Sequence, residues 1–354
     1  MRREEFAMDR TEAMQLLLHA PYVHLASVGE DGRPLLRALH GIVVDDWLCF
    51  HSAPAGEKCS LVNREAVCSW EEIVAEIPSY WTDPVMACPA TTLYRSVQVS
   101  GTLRELEGAQ LRGRALQRLM ETYQPEGGHE PIEGECPRYR KAVAALMVAG
   151  LRLDTLVGKS KLAQNRSPAT IRGLIENLWK RGRTPDAKAI ALLLAANPLV
   201  ERPAFLCGPG KTKLEPWVDG SRMAEANALL RDQYWNRGRF SDEALSIAHQ
   251  ASGAWVVATN EAGELVGTAR GFSDQQKFGY VADVAVREDS RGAGIGAALM
   301  TLLLAHPCMR DCARVMLATT NADSLYERLG FVPHDSVRVP GRTMMVRVKE
   351  DYTL

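Results

Sequence analysis

A glycine-rich turn in the last third of the chain has the residue pattern of an anion-binding site. It consists of Arg291, Gly292, Gly294, Ile295 and Gly296. The turn follows an apolar segment at 283–286 and precedes an apolar run at 297–305. A strand, a glycine turn and a helix in this order leave the backbone N–H groups of the turn free, with the positive end of the helix behind them. Glycines also allow a phosphate to approach the backbone closely, so we predict a pyrophosphate-binding loop.

The segments on both sides of this turn predict the elements that position it. Helices are expected at 221–235 and 241–250, strands at 254–259, 265–272, 280–286 and 314–319, a short helix at 323–329 and a further strand from Phe331. Gly330 occupies the position where a helix end needs a left-handed residue. The pattern predicts a mixed α/β domain over residues 217–354.

Two strings in this domain resemble the Gcn5-related N-acetyltransferases (GNAT). The first is Arg-x-x-Gly-x-Gly in the turn, and the second is Thr-Asn-Ala-Asp-Ser-Leu-Tyr-Glu-Arg-Leu-Gly-Phe at 320–331. The resemblance implies that the turn holds the pyrophosphate of acetyl-CoA and that Asn321 contacts the cofactor arm. It also implies that Tyr326 protonates the departing thiolate, and that backbone groups of Val284 and Val286 bind the pantetheine.

An amine must lose its proton before it can attack a thioester. Asp283 and Glu264 are the candidate general bases, although Asp283 could equally cap a strand end. Tyr326 could likewise be a core aromatic beside Leu325 and Leu329. No acidic trough is apparent, so we expect a small amine rather than a protein tail as the acceptor.

The N-terminal half predicts a different domain. Asp9 can cap a first helix, which Pro21 ends, and strands are expected at 23–28, 35–44, 47–51, 66–70, 92–106 and 147–157, with helices near 108–123 and 137–145. Short antiparallel strands with few helices predict a small barrel with flanking helices. Proline and glycine between 198 and 216 predict a linker, so the barrel domain spans 1–197 and the overall class is α+β.

Several strings in this half resemble the split-barrel flavoproteins related to pyridoxamine 5′-phosphate oxidase. They occupy 25–34 and 49–58, while 93–101 is similar to the nitroimidazole-resistance branch, and 77–81 and 158–167 resemble the PaiB-like regulators and piperazate synthases. The resemblance implies an FMN-binding-type split barrel that forms a homodimer with the cofactor at the subunit interface.

The branches of that superfamily use different cofactors, so three interpretations stay open. With FMN, Arg37 and Lys58 supply cations for the phosphate, and His51 and Ser52 line the same edge. With haem b, His51 would be the axial metal ligand, as a neutral imidazole. In the third interpretation the barrel has lost its cofactor. His40, on an apolar strand, is expected to be a core histidine.

The amino-acid composition of the chain limits the classes of function to be expected. The chain has 354 residues, with 42 Lys and Arg against 43 Asp and Glu, which gives no electrostatic reason to expect a nucleic-acid or membrane partner. The eight cysteines show no zinc spacing, and the N-terminus lacks an apolar signal core, so we expect a cytoplasmic protein with reduced thiols. We predict a bifunctional enzyme. The alternatives are an acetyltransferase with a non-catalytic dimerising barrel, or a PaiB-like transcriptional regulator.

Overall fold

A computed structural model, which describes residues 3–334, divides the chain into two compact units. The first unit comprises the chain up to Asn177 together with Leu192–Val200, and the second comprises Leu178–Ala191 together with the chain from Glu201 onward. Within the described range, no helix is both long enough and apolar enough to cross a bilayer.

From residue 3 onward the first unit contains ten strands, and a capped helix follows the first of them. The elements, in chain order, are β1 (Ala7–Met8), α1 (Arg10–Leu18), β2 (Val23–Val28), β3 (Pro34–Leu39), β4 (Ile42–Val44), β5 (Trp47–Ser52), β6 (Glu65–Ile77), β7 (Thr91–Thr102), β8 (Arg104–Glu105), α2 (Ala109–Tyr123), α3 (Arg140–Ala144), β9 (Met147–Arg152) and β10 (Val157–Lys161). The predicted cap is confirmed, because the Asp9 carboxylate accepts the N–H of Glu12 at 2.8 Å.

The strands form two sheets. One has six strands in the order β1-β10-β7-β6-β2-β3, and the other has four in the order β4-β5-β9-β8. Their inner faces enclose a core that includes Leu25, Leu48, Val99 and Leu151. The barrel class predicted from the short antiparallel strands is confirmed.

Three predicted strands are each divided between the two sheets. The segment at 92–106 forms β7 and β8, the segment at 147–157 forms β9 and the start of β10, and the segment at 35–44 forms β3 and β4. In the segment at 35–44, β3 ends at Leu39 in the six-stranded sheet, and β4 begins at Ile42 in the four-stranded sheet. Gly41 lies between the two parts, where a Cβ atom would stand 2.8 Å from Val23 Cγ2 and 3.0 Å from Leu48 Cδ1. The chain therefore crosses from one sheet to the other through a point with no room for a side chain.

Two helices follow the barrel and contribute residues to both units. They are α4 (Pro168–Arg181) and α5 (Asp186–Ala196). Arg181 and the fully buried Asp186 form an ion pair with an Nη2–Oδ1 distance of 2.5 Å, and the backbone N–H of Arg183 also donates to Asp186. A buried carboxylate needs such partners, which explains an acidic residue at the start of an otherwise apolar helix.

Up to His334, the second unit forms a five-stranded sheet with helices. Its elements are β11 (Lys213–Glu215), α6 (Met223–Arg231), α7 (Asp242–Gln250), β12 (Ala254–Thr259), β13 (Leu265–Ser273), β14 (Phe278–Val286), α8 (Ile295–Ala305), β15 (Arg314–Met316) and α9 (Asp323–Glu327). The strands lie in the order β11-β12-β13-β14-β15. The edge strand β11 lies within the segment predicted as a linker and pairs with β12. Residues 331–334 form no strand, and the rest of that prediction lies outside the described residues.

Candidate functional site

Among residues 3–334, strand β14 has part of one edge open. Its parallel partner β15 pairs only with Phe278–Tyr280, opposite Arg314–Met316. The other edge of β14 pairs with β13, where Val286 lies opposite Gly267. The backbone N–H of the next residue, Arg287, donates to the carbonyl of Val266 at 2.8 Å. Backbone groups alternate in direction along a strand, so those of Val284 and Val286 point away from β13. They face the edge that β15 does not cover.

The glycine turn continues from this open edge. Gly292 and Gly294 have φ values of +78° and +87°, which glycine adopts without strain. Gly294 is the N-cap of α8 and makes no side-chain cap, so the first N–H groups of the helix remain available to an anion. The Arg291 guanidinium donates from Nε to the carbonyl of Val286 at 3.1 Å, which ties the turn to the strand and uses one of its five donors.

Gly296, in the first turn of α8, has room for a side chain within the protein. A Cβ atom there would meet Leu325 Cδ2 and Val286 Cγ2 no closer than 3.7 Å, which is ordinary contact. Packing therefore gives no reason for glycine at this position. Close approach of a ligand to the helix start would give one.

A β-bulge interrupts β14 just before the open edge. The register with β13 shifts between Thr268 and Arg270, and Asp283 has a φ of +52°. Its carboxylate accepts from Arg270 Nε at 2.6 Å and from the Trp235 indole at 2.9 Å. The ion pair is largely buried, with side-chain exposures of 17% for Arg270 and 8% for Asp283. We call Asp283, Arg270 and Trp235 the bulge clamp.

The bulge clamp bears on the prediction that Asp283 is a general base. Both carboxylate oxygens accept hydrogen bonds, one of them from a guanidinium, which makes proton transfer from a substrate amine harder. The role of Asp283 as a general base stays a prediction. Glu264, the other candidate base, is exposed. Hydrogen bonds from Asn260 and Arg287 lower the pKa of its carboxyl group, which makes it a weaker base.

Tyr326 lies on α9 and is 9% exposed. Burial, together with the nearby Tyr234, raises the pKa of the Tyr326 phenol above its ordinary value, so the hydroxyl stays protonated at neutral pH. Tyr234 accepts a hydrogen bond from the backbone N–H of Thr320 at 3.1 Å, which joins the segment before α9 to the segment that carries Trp235. Asn321 is exposed just before α9.

His249 is a buried residue that the sequence analysis did not single out. Its ring stacks on Trp255 with centroids 4.4 Å apart, and neither ring nitrogen has a hydrogen-bond partner in the part of the chain that the structure describes. Burial, with a contribution from the charge of Arg270, lowers the pKa of His249 to about 4. A neutral ring at this position leaves Asp283 as the charged partner of Arg270.

In the barrel, the predicted cofactor residues lie on β3, β5 and the segment after β5. His51 is half-buried on β5, opposite Val148 of β9. Burial, followed by the charges of Lys58 and His40, lowers the pKa of His51, so its imidazole is neutral at pH 7. Ser52 is buried. Arg37 forms an exposed ion pair with Glu57.

Two residues near His51 were misjudged or missed. His40, predicted to be a core histidine, is exposed and lies edge-on to Tyr123 with ring centroids 5.1 Å apart. The prediction was wrong because the predicted strand breaks at Gly41 and His40 follows the end of β3. The ion-pair partner of Arg37, Glu57, was not predicted, because a single carboxylate in a loop forms no recognisable sequence pattern.

Comparison with known proteins agrees with this division. A family model described as pyridoxamine 5′-phosphate oxidase matches residues 9–160, and a GNAT acetyltransferase model matches residues 221–331. A search of curated proteins gives no significant match.

Three solved structures are similar to part of the chain. A candidate 5-nitroimidazole antibiotic resistance protein from Bacteroides thetaiotaomicron has 18% identity over 43% of this chain and 85% of its own, with a TM-score of 0.34. A flavocytochrome from Azotobacter vinelandii has 16% identity over 45% and 71%, with a TM-score of 0.38. A candidate GNAT acetyltransferase from Xanthomonas campestris pv. campestris has 28% identity over 39% and 96%, with a TM-score of 0.33.

The first unit is thus a split barrel and the second a GNAT-type sheet. The chain joins a member of the pyridoxamine 5′-phosphate oxidase-like superfamily to a GNAT acetyltransferase domain, as both resemblances implied.

The bulge clamp predicts a specific loss of stability. Asp283→Asn keeps the size of the side chain but leaves the buried Arg270 without a counter-ion, and we expect a loss of about 3 kcal/mol in the local unfolding free energy. Amide hydrogen exchange of the peptide that contains β14 measures this. The control Asp242→Asn breaks an exposed ion pair with Arg231 and should cost less than about 1 kcal/mol. Equal exchange of β14 in wild type and Asp283→Asn would contradict the role of the clamp.

Proposed function

We propose that the protein is a two-site enzyme. Its C-terminal unit transfers the acetyl group of acetyl-CoA to a small amine, and its barrel binds FMN and acts on a nitrogen-containing small molecule. The proposal of acetyl transfer rests on the open edge of β14 beside the glycine turn. The pantetheine arm of acetyl-CoA would lie along the open edge, and its pyrophosphate would lie at the adjoining turn. The family assignment of each unit supports the division of labour.

In this proposal the cofactor lies along backbone groups. The pantetheine amides pair with Val284 and Val286 as an added strand would, and the pyrophosphate receives the N–H groups at the start of α8. Arg291 supplies its remaining donors to the phosphate, and Asn321 contacts the arm from the other side. Backbone donors at the open edge also hold and polarise the thioester carbonyl.

Transfer then needs one nucleophile and one acid. The neutral amine nitrogen attacks the thioester carbonyl, the carbon–sulfur bond breaks, and an amide forms. Tyr326 gives its proton to the departing thiolate and recovers one from water, and the proton released by the amine passes to water. The raised pKa of the phenol keeps it protonated at neutral pH, so a proton is available when the thiolate departs.

Substitution of Tyr326 tests the acid. Tyr326→Phe should lower kcat for acetyl transfer about a hundredfold and leave the Kd for acetyl-CoA within about twofold, because the phenol acts on the leaving sulfur and not on the bound cofactor. Steady-state kinetics with calorimetric binding measure both. The matched control Tyr234→Phe removes the neighbouring hydroxyl and should affect kcat far less. Unchanged turnover in Tyr326→Phe would remove this residue as the acid.

Gly296 tests cofactor placement independently of chemistry. Gly296→Ala should leave the thermal midpoint unchanged or slightly raised, since alanine favours a helix and the protein has space for the methyl group. The KM for acetyl-CoA should rise about tenfold or more, because the methyl group would hold the pyrophosphate away from the helix start. The control Thr301→Ala, on an exposed position of the same helix, should leave KM unchanged. An unaltered KM in Gly296→Ala would argue against a phosphate at this helix start.

The barrel residues fit an anionic cofactor. Lys58 and Arg37 supply two cations, and the exposed ion pair between Arg37 and Glu57 is of the kind worth at most about 1 kcal/mol, so a phosphate dianion can displace Glu57. Ser52 offers a hydroxyl on the same strand as His51. Bound FMN would supply hydride or single-electron transfer, and the protein groups would hold its phosphate.

Haem b is the second candidate, and His51 favours it. The lowered pKa of His51 keeps its imidazole in the neutral form that binds iron. A dimer through the barrel and a cytoplasmic location belong to the same proposal. The eight cysteines are all free thiols, which suits a reducing compartment.

His51 separates the two cofactors. In the FMN proposal, His51→Ala keeps the paired absorption bands of an oxidised flavin in the purified protein, because the phosphate contacts remain. With haem, the same variant loses the Soret band that the wild type would show. A wild-type spectrum with a Soret band would contradict the FMN proposal, and a colourless wild type after reconstitution with either cofactor would leave a barrel without catalysis.

A further inference from the structure

The first unit contains a cavity of about 380 Å³ that the proposed function does not use. It opens where β6 and β10 end and β7 and α4 begin, within a single unit. Its volume lies in the range of small-molecule sites. Ile77 and the segment 161–166, which line it, belong to two of the strings that the sequence analysis singled out and the proposed cofactor site leaves unexplained.

This cavity is separate from the cofactor residues of the barrel. None of Arg37, His51, Ser52 and Lys58 lines it. Across the sheet, Arg37 of β3 is level with Leu25 of β2, and Leu25 is level with Cys68 of β6. The cavity, in contrast, begins at Ile77, which is the last residue of β6. Nine residues of extended chain correspond to roughly 30 Å. The two places therefore lie at different ends of the same sheet.

The floor of the cavity is apolar. Phe6, Ile77, Leu93 and Leu174 line it and are each at most 5% exposed. Such a surface favours a hydrocarbon or aromatic group, which gains about 25 cal/mol for each Å² of apolar area removed from water. A purely polar ligand would gain nothing from these side chains.

The polar part of the lining is positively charged. Arg3, Lys161 and Arg166 line the cavity together with Asn165, and the lining includes no acidic residue. Lys161 donates to the hydroxyl of Thr91 and lies 5.9 Å from the centre of the Tyr94 ring. Among residues 3–334, no carboxylate lies within ion-pair distance of Lys161 or Arg166. Uncompensated cations beside an apolar floor attract an anion that carries an apolar body.

We propose that this cavity binds a small organic carboxylate, with the acid group at Lys161 and Arg166 and the apolar body on the floor formed by Phe6, Ile77, Leu93 and Leu174. Arg166 presents a planar fork that matches the two oxygens of a carboxylate. The volume of about 380 Å³ admits one small molecule. The site would bind this ligand whether or not the barrel carries a cofactor.

Cys88 gives a direct readout, because this exposed thiol lines the cavity. The full-length protein is alkylated with iodoacetamide in the presence of 3-phenylpropionate or its neutral amide, and labelling at each cysteine is followed by peptide mass spectrometry. We expect saturating acid to slow labelling of Cys88 about tenfold and the amide to have little effect, since it lacks the charge. Cys207, an exposed thiol in the second unit, is the internal control and should label at an unchanged rate.

Charge variants complete the test. Lys161→Gln and Arg166→Gln should each weaken protection by the acid at least about tenfold, the loss expected for a charge-assisted hydrogen bond. Arg64→Gln, a cation outside the cavity that lies 3.7 Å from Glu30, should leave protection as in wild type. Equal protection by acid and amide, no protection by the acid in wild type, or full protection in both cavity variants would each overturn the proposal. The acid–amide comparison needs only the wild type, so it stands even if a variant fails to fold.

Discussion

The ion pair between Asp283 and Arg270 is the constraint on which the C-terminal site depends. An aspartate with a φ of +52° is tolerated only where the surrounding structure fixes it, and here a guanidinium and an indole both do so. The bulge lies between the part of β14 that pairs with β15 and the part that does not. Since bulges bend a strand and increase its twist, the clamp explains why the two parallel strands separate at this point.

The clamp also joins the sheet to the segments around it. Trp235 follows α6, and Arg270 reaches the Ser252 hydroxyl and the carbonyl of Ala248 near the end of α7. The residue next to Trp235, Tyr234, holds the backbone N–H of Thr320. The charged pair therefore joins the strand that offers backbone groups to a ligand with α7 and the segment after α6. Tyr234 extends this connection to the segment that leads to Tyr326.

The sequence predicts the elements of this site well and its interactions poorly. Alternating apolar residues and the glycine turn locate β12–β14 and α8 to within a few residues, because strand and helix periods are local properties. The contacts of Asp283 could not be predicted, since they depend on Arg270 thirteen residues earlier and Trp235 forty-eight residues earlier. In the barrel, a single apolar stretch concealed the break at Gly41, because only the contact with Val23 shows that a side chain cannot fit there. The same break moved His40 from the expected core to the surface.

The most direct test of the account is hydrogen exchange of the wild-type protein with and without acetyl-CoA. If the open edge of β14 and the start of α8 form the cofactor site, peptides that contain Val284, Val286 and residues 292–297 should gain protection, whereas peptides from β12 should not change. Protection confined to other parts of the chain, or none at saturating acetyl-CoA, would contradict the assignment of this edge as the site of acetyl transfer.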